Sequence, residues 1–410
     1  ALNPKKRMSR SLSRYLKIAF LNLLVVAFLG VLMRYKILYS LPFIDQKNLL
    51  HGHSHFAFSG WITQTLMVLL VAYLSKATGK DEFISYKKLL LANLITAYGM
   101  LIAFPIQGYG MVSIFFSTLS VFISYIFAFF FWKDLNKIEN QNVAHYWFKA
   151  GLLLNVFSSI GTFGLAFMMA NKIADQTWYL AAVYFYLHFQ YNGWFFFTCM
   201  GLFYVILPTK IIATNKLKRI FWLFALASVP AYFLSTLWMS LPLWVYILVV
   251  LASFVQVIAW IVFVRVLFTS RNIIITTISK EVKWLFGLSA VALTIKLLLQ
   301  LSSTIPYLSQ LAFGFRSIVI AYLHLVLLGV ITIFLLGYIF TLNVLTVKKT
   351  TVYGVIIFVI GIFLNELMLM LQGVASFSYT IIPYTNELLL SFALMMFSGI
   401  ILLLVSQLRK

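Results

Sequence analysis

Acidic side chains are scarce in this 410-residue chain, with 9 Asp and Glu against 31 Lys and Arg, and charged residues of either sign make up only 10%. Cysteine is rarer still. The single Cys199 excludes an intrachain disulfide and any thiolate cluster for zinc or iron–sulfur binding, and packing is its expected role. With 63% hydrophobic residues and a mean hydropathy of +0.99, a soluble globule is excluded as well. A net charge of +22 would point to nucleic acid in a soluble protein. Here the basic residues fall in alternate loops, and the opposite loops hold only Arg34, Lys36, Lys47, Lys172 and Arg316. The positive-inside rule then makes both termini cytoplasmic in a multi-pass protein of the cell (inner) membrane, and nucleic acid is not a partner. The first apolar run is longer than a signal-peptide core and lacks a small-residue cleavage site, so it reads as the first span.

Apolar runs long enough to cross a bilayer lie at about 15–33, 49–75, 89–108, 111–132, 148–171, 178–206, 220–239, 243–268, 284–304, 317–342, 352–372 and 387–408. The expectation is an all-α integral membrane protein of twelve transmembrane helices in one domain, with no loop long enough to form another.

Histidine is costly in hydrocarbon, yet the stretch HGHSHFAFSGW puts His51, His53 and His55 at the opening of the second run. At 100° per residue His51 and His55 share one helix face, while His53 points nearly opposite. Part of this pattern returns: His55 precedes Gly60 by five positions, His188 precedes Gly193, and His324 precedes Gly329. Trp61 and Trp194 follow the first two glycines. From His55 to His188 is 133 residues and from His188 to His324 is 136, a period that divides the chain into repeats at about 15–132, 148–268 and 284–408, four helices each. His145, in a charged connection, reads as solvated or interfacial. Lys296 and Glu366 stand inside the ninth and eleventh runs at similar depths, which allows an ion pair or a proton route. Arg34 and Lys36 reach the outer interface, as anchors or, for Arg34, as a partner for an anionic group.

Two imidazoles on facing helices can clamp both axial positions of a haem iron, whereas a type-2 copper needs about three histidines converging on one point. The whole twelve-helix plan resembles the catalytic subunit of the haem-copper oxidase superfamily, which includes the nitric oxide reductases. That resemblance implies three four-helix arcs in pseudo-three-fold array around three pores. The stretch YLHLVLLG, Tyr322 to Gly329, is similar to the family's tenth-helix motif of His, any residue, His. Tyr322 stands where the family has its catalytic-haem ligand, and His324 stands where it has the low-spin haem ligand. The same resemblance, with its three-fold relation between arcs, implies His53 as the mate of His324, with His51 and His55 as rivals. It also sets Arg34 beside that haem and directs His188 and Tyr322 to the central pore. The adjacent histidine pair of the family's seventh helix is missing from FWLFALASVPAYFLSTLWM, so copper is not expected.

The leading expectation is therefore an integral-membrane protein binding a low-spin haem b for electron transfer, sensing or diatomic gas handling. One haem is expected, or two. A cytochrome or quinol electron donor and accessory membrane subunits are the partners the resemblance implies, besides the lipid bilayer. One alternative is an active terminal oxidase or nitric oxide reductase, an oxidoreductase working through an atypical site of His188 and Tyr322. Another is a transporter or structural membrane partner without cofactor.

Overall fold

Hydrocarbon offers a backbone N–H or C=O no partner, so a chain this apolar must satisfy those groups within each segment, and helices do so. The structure, a computed structural model, describes residues 4–207, 213–271 and 278–408, and among them there is no strand. Helix α1 is Pro4–Leu38, α2 Gln46–Thr78, α3 Phe83–Gln107, α4 Met111–Asn136 and α5 Val143–Ala170. Next, α6 runs over 176–206, and α7 joins Thr214–Ser228 to a 3₁₀ segment, Pro230–Thr236, bent by 45°. Helix α8 is Leu243–Thr269, α9 Lys280–Ser302, α10 Arg316–Thr341, α11 Lys349–Phe377 and α12 Thr385–Leu408, with a short helix Pro306–Gly314 before α10. The few acids serve helix starts: Asp45 accepts from the Asn48 N–H before α2, and Asp175 accepts from Thr177 and Trp178 before α6.

Ten of these helices are long and apolar enough to cross a membrane, eleven with the bent α7, which makes this a multi-span membrane protein. Helix α6 is not among them, because its stretch YLHFQYNGW carries His, Gln, Asn and Tyr where the others carry aliphatics.

The chain divides into two compact units, Ala1–Glu139 with Leu342–Lys410, and Asn140–Thr341. The boundary at Thr341 falls within the third sequence repeat. In the first unit, α11 and α12 meet at glycines: a Cβ on Gly399 would stand 2.6 Å from the Phe358 nitrogen, and one on Gly354 2.8 Å from the Gly399 oxygen. Small residues at such crossings let backbones approach where no hydrophobic force drives helices together.

Three helices share a local irregularity. Within two residues of the repeated histidines, α2, α6 and α10 each wind into a π segment: Ala57–Thr63, Phe189–Phe195 and Leu325–Thr332. The N–H groups that close them, on Gln64, Phe196 and Ile333, each reach back five residues, to the carbonyls of Ser59, Tyr191 and Leu328. The sequence period is thus also a period in the backbone. Such π turns inside α-helices concentrate at functional sites.

Candidate functional site

In the first unit, Gly52 sets the position of the α2 histidines. A Cβ there would stand 2.8 Å from Pro105 of α3, so α2 lies directly on α3 at this level. His55 stacks on Phe104 of α3, with ring centroids 4.2 Å apart and planes 9° apart, and its Nε2 is 3.4 Å from the Tyr109 hydroxyl. His51, on the same face, meets the Tyr109 ring edge-on at 4.7 Å. Its Nε2 is buried without a hydrogen-bond partner.

His53 leaves α2 on the other face, toward α1, as the helical period requires. One ring nitrogen bonds the Val26 backbone, and the ring lies over Gly30, whose added Cβ would be 3.8 Å from the His53 Cε1. The His53 Nδ1 is buried and has no hydrogen-bond partner. Val26, Gly30 and Arg34 are spaced by four along α1 and share a face. Arg34 is in electrostatic range of Glu366 of α11, itself 8% exposed, and the Asn365 amide donates to Glu366 Oε1 at 3.1 Å. Arg34 and Glu366 thus interact electrostatically within the first unit. Lys296 lies in the second unit, 5% exposed, with Nζ 5.9 Å from the Phe196 ring centroid.

The second unit holds the other two repeat histidines. His324 is half-buried at the last residue before the π segment of α10. His188, buried, donates from Nε2 to the Ser228 carbonyl at 2.9 Å. That carbonyl is available because α7 breaks there: Pro230 has no N–H, and Tyr232 N–H turns to Val229 in the 3₁₀ segment instead of to Ser228. With Nε2 carrying the proton, Nδ1 accepts from Asn192 at 3.2 Å. Both nitrogens are occupied, and a metal on His188 would displace one of the two bonds. Asn192 also bonds Tyr322, whose ring centroid is 6.3 Å from that of Tyr191, and Tyr191 bonds Ser235. The residues directed to one pore by the sequence reading, His188 and Tyr322, therefore meet through Asn192. His145 is not solvated: it is 1% exposed in the first turn of α5, with Nδ1 2.6 Å from Gln141 Oε1.

Sequence reasoning passed over the side chains that serve the π segments. Asn22 of α1 donates to the Gly60 carbonyl at 2.6 Å and accepts from Tyr98, and Asn93 donates to the Ser59 carbonyl and to Gln64. Gln190 donates to Asn155 and Ser158 of α5, and Ser289 of α9 donates to the Val330 carbonyl at 2.7 Å. Asn22 and Asn155 are as far apart in sequence as His55 and His188, a signal present in the period but carried by common residue types.

Among the described residues, no three or more His, Cys, Asp or Glu gather as a metal site. A haem asks for only two axial imidazoles, so that finding does not bear on it. No family model matches this chain, and no curated protein matches it.

Proposed function

We propose that this chain is an integral-membrane haem b protein on a haem-copper oxidase-like plan, with twelve spans in three four-helix arcs and cytoplasmic termini, and with His53 as an axial ligand. The observation that supports it is the environment of His53. A ligand imidazole characteristically gives one ring nitrogen to a backbone carbonyl, which fixes ring and tautomer, and offers the other to the metal. His53 has one nitrogen on Val26 and the other buried and bare, an arrangement costly without a donor or a metal for that lone pair. The second axial ligand expected from the sequence is His324. A haem with two imidazoles is low-spin and moves single electrons. Arg34, four residues beyond Gly30 on the same face of α1, brings positive charge toward a carboxylate-bearing ligand there, with Glu366 in electrostatic range of it.

The oxidase or reductase reading would use His188 and Tyr322, and what favours it is their shared partner, Asn192. Against it stand the occupied nitrogens of His188.

Absorption spectra of the purified protein test the proposal. A Soret band with low-spin α and β bands is expected, lost in His53→Ala and kept in His51→Ala. The same haem content and spectrum in His53→Ala would overturn it. Carbon monoxide sensitivity of the reduced protein would instead favour the enzyme, and absence of any Soret band the cofactor-free alternative.

A further inference from the structure

The proposed haem chemistry uses nothing at the N-terminal end of α1, yet that end carries a built feature. Between α1 and the last turns of α12 lies a groove of about 680 Å³. Arg10, Arg14 and Lys17 line its mouth at helical spacing, with the hydroxyls of Ser9 and Ser13 beside them. Further along the same stripe of α1 the lining turns apolar, at Ile18 and Leu21, and Leu404 and Leu408 complete it from α12. At 1.5 Å per residue, Arg10 and Leu21 are about 16 Å apart along the axis, so the groove passes from cationic to greasy within that length.

No carboxylate is among the described residues lining this groove. Asp81, a nearby acid outside the lining, is engaged by Arg7, 3.7 Å from it, and by the Ser11 hydroxyl, which donates to it at 3.4 Å. Three cations are thus gathered at a membrane boundary without a counter-charge in the groove. We infer that the groove binds an anionic phospholipid of the leaflet next to the N-terminus, its phosphate among Arg10, Arg14 and Lys17 and an acyl chain along Leu21 and Leu404. Basic pockets between transmembrane helices recognise anionic headgroups by this combination of charge and hydroxyl donors. The apolar lining selects a lipid over a soluble phosphate, because only a lipid covers both ends of the stripe.

The test is native mass spectrometry of the full chain in detergent, incubated with phosphatidylglycerol or with phosphatidylcholine. Phosphatidylglycerol should stay bound and phosphatidylcholine should not. Each basic residue near an anionic headgroup contributes roughly fivefold. Arg14→Gln alone, at an exposed position, should therefore cut retention by about fivefold, and the triple Arg10→Gln, Arg14→Gln, Lys17→Gln by about a hundredfold. A control triple at the same end of the bundle, Lys87→Gln, Lys88→Gln, Lys133→Gln, should leave retention unchanged. Equal loss in the control would reduce the effect to bulk surface charge and overturn the site. Unchanged retention in Arg14→Gln would overturn it too, as would displacement of the lipid by millimolar glycerol phosphate, which lacks acyl chains.

Discussion

An imidazole has two nitrogens, and what each one touches separates a structural histidine from a ligand. His188 spends both, on the carbonyl that the α7 break leaves open and on the Asn192 amide. His53 spends one. The same accounting applies to the buried charges. Glu366 lies with Asn365 and in range of Arg34, so removing either charge leaves the other in low dielectric. Arg34→Met and Glu366→Gln should each lower thermal stability, and the double variant should lose less than their sum, by a coupling of about 0.5–3 kcal/mol. Additive losses in a melting series would show that the two charges do not interact. In the sequence, Glu366 and Lys296 stand at similar depths counted from their helix starts, which allows an ion pair or a proton route. Such counting measures depth along the membrane normal, and it carries no information about which neighbour a side chain meets around the helix. The opposed faces of His51 and His53 were legible for the converse reason, since both lie on one helix whose period sets the angle between them.

At the level of elements, the repeat His to Gly in five steps marks a π turn in three helices, and each glycine stands where a side chain leaves little room for a Cβ. A Cβ on Gly60 would stand 2.6 Å from the Phe56 ring and one on Gly193 2.8 Å from the Leu154 Cβ, whereas one on Gly329 would be 3.2 Å from Ala292. Gly60→Ala and Gly193→Ala should therefore each cost about 1–3 kcal/mol from overpacking, and Gly329→Ala less. Thermal unfolding of the three variants in one detergent checks this order, and a Gly329 variant as unstable as the others would contradict it. The polar supports are as specific. Asn22→Leu strands the Tyr98 hydroxyl and removes the donor to Gly60, and Ser289→Ala removes the donor to Val330. The first should cost more, since each buried polar group left alone costs about 1–3 kcal/mol. In the sequence the period was visible through its histidines, which are rare in apolar runs. The extra residue per π turn was not, because a π segment has no composition of its own and arises from where Asn22, Asn93 and Ser289 meet the backbone.

For the whole molecule, the open quantity is the number of crossings, and it turns on α6 and α7. Aliphatic runs announce themselves in the sequence, and ten helices are of that kind. Helix α6 is helical from Gln176 to Ile206, yet its central residues, Phe189 to Phe195, are all buried and, apart from Gly193, aromatic or polar, so it needs little aliphatic surface of its own. Helix α7 is bent at Pro230. If both cross, then Lys172, Thr214 and Ser240 alternate between outside, inside and outside, with the basic loops inside. The lone, buried Cys199 makes this measurable: in a Cys199→Ser background, single cysteines at these three positions report their side through a membrane-impermeant maleimide. Lys172→Cys and Ser240→Cys should label in intact cells, and Thr214→Cys only after lysis. Were α6 not a span, Thr214→Cys would label from outside. Were α6 alone to fail while α7 crosses, Ser240→Cys would be protected and every later loop would exchange sides. The alternation of all three sites is therefore the outcome that twelve crossings require, and the loss of α6 or α7 as a span leaves the second arc short of its four helices.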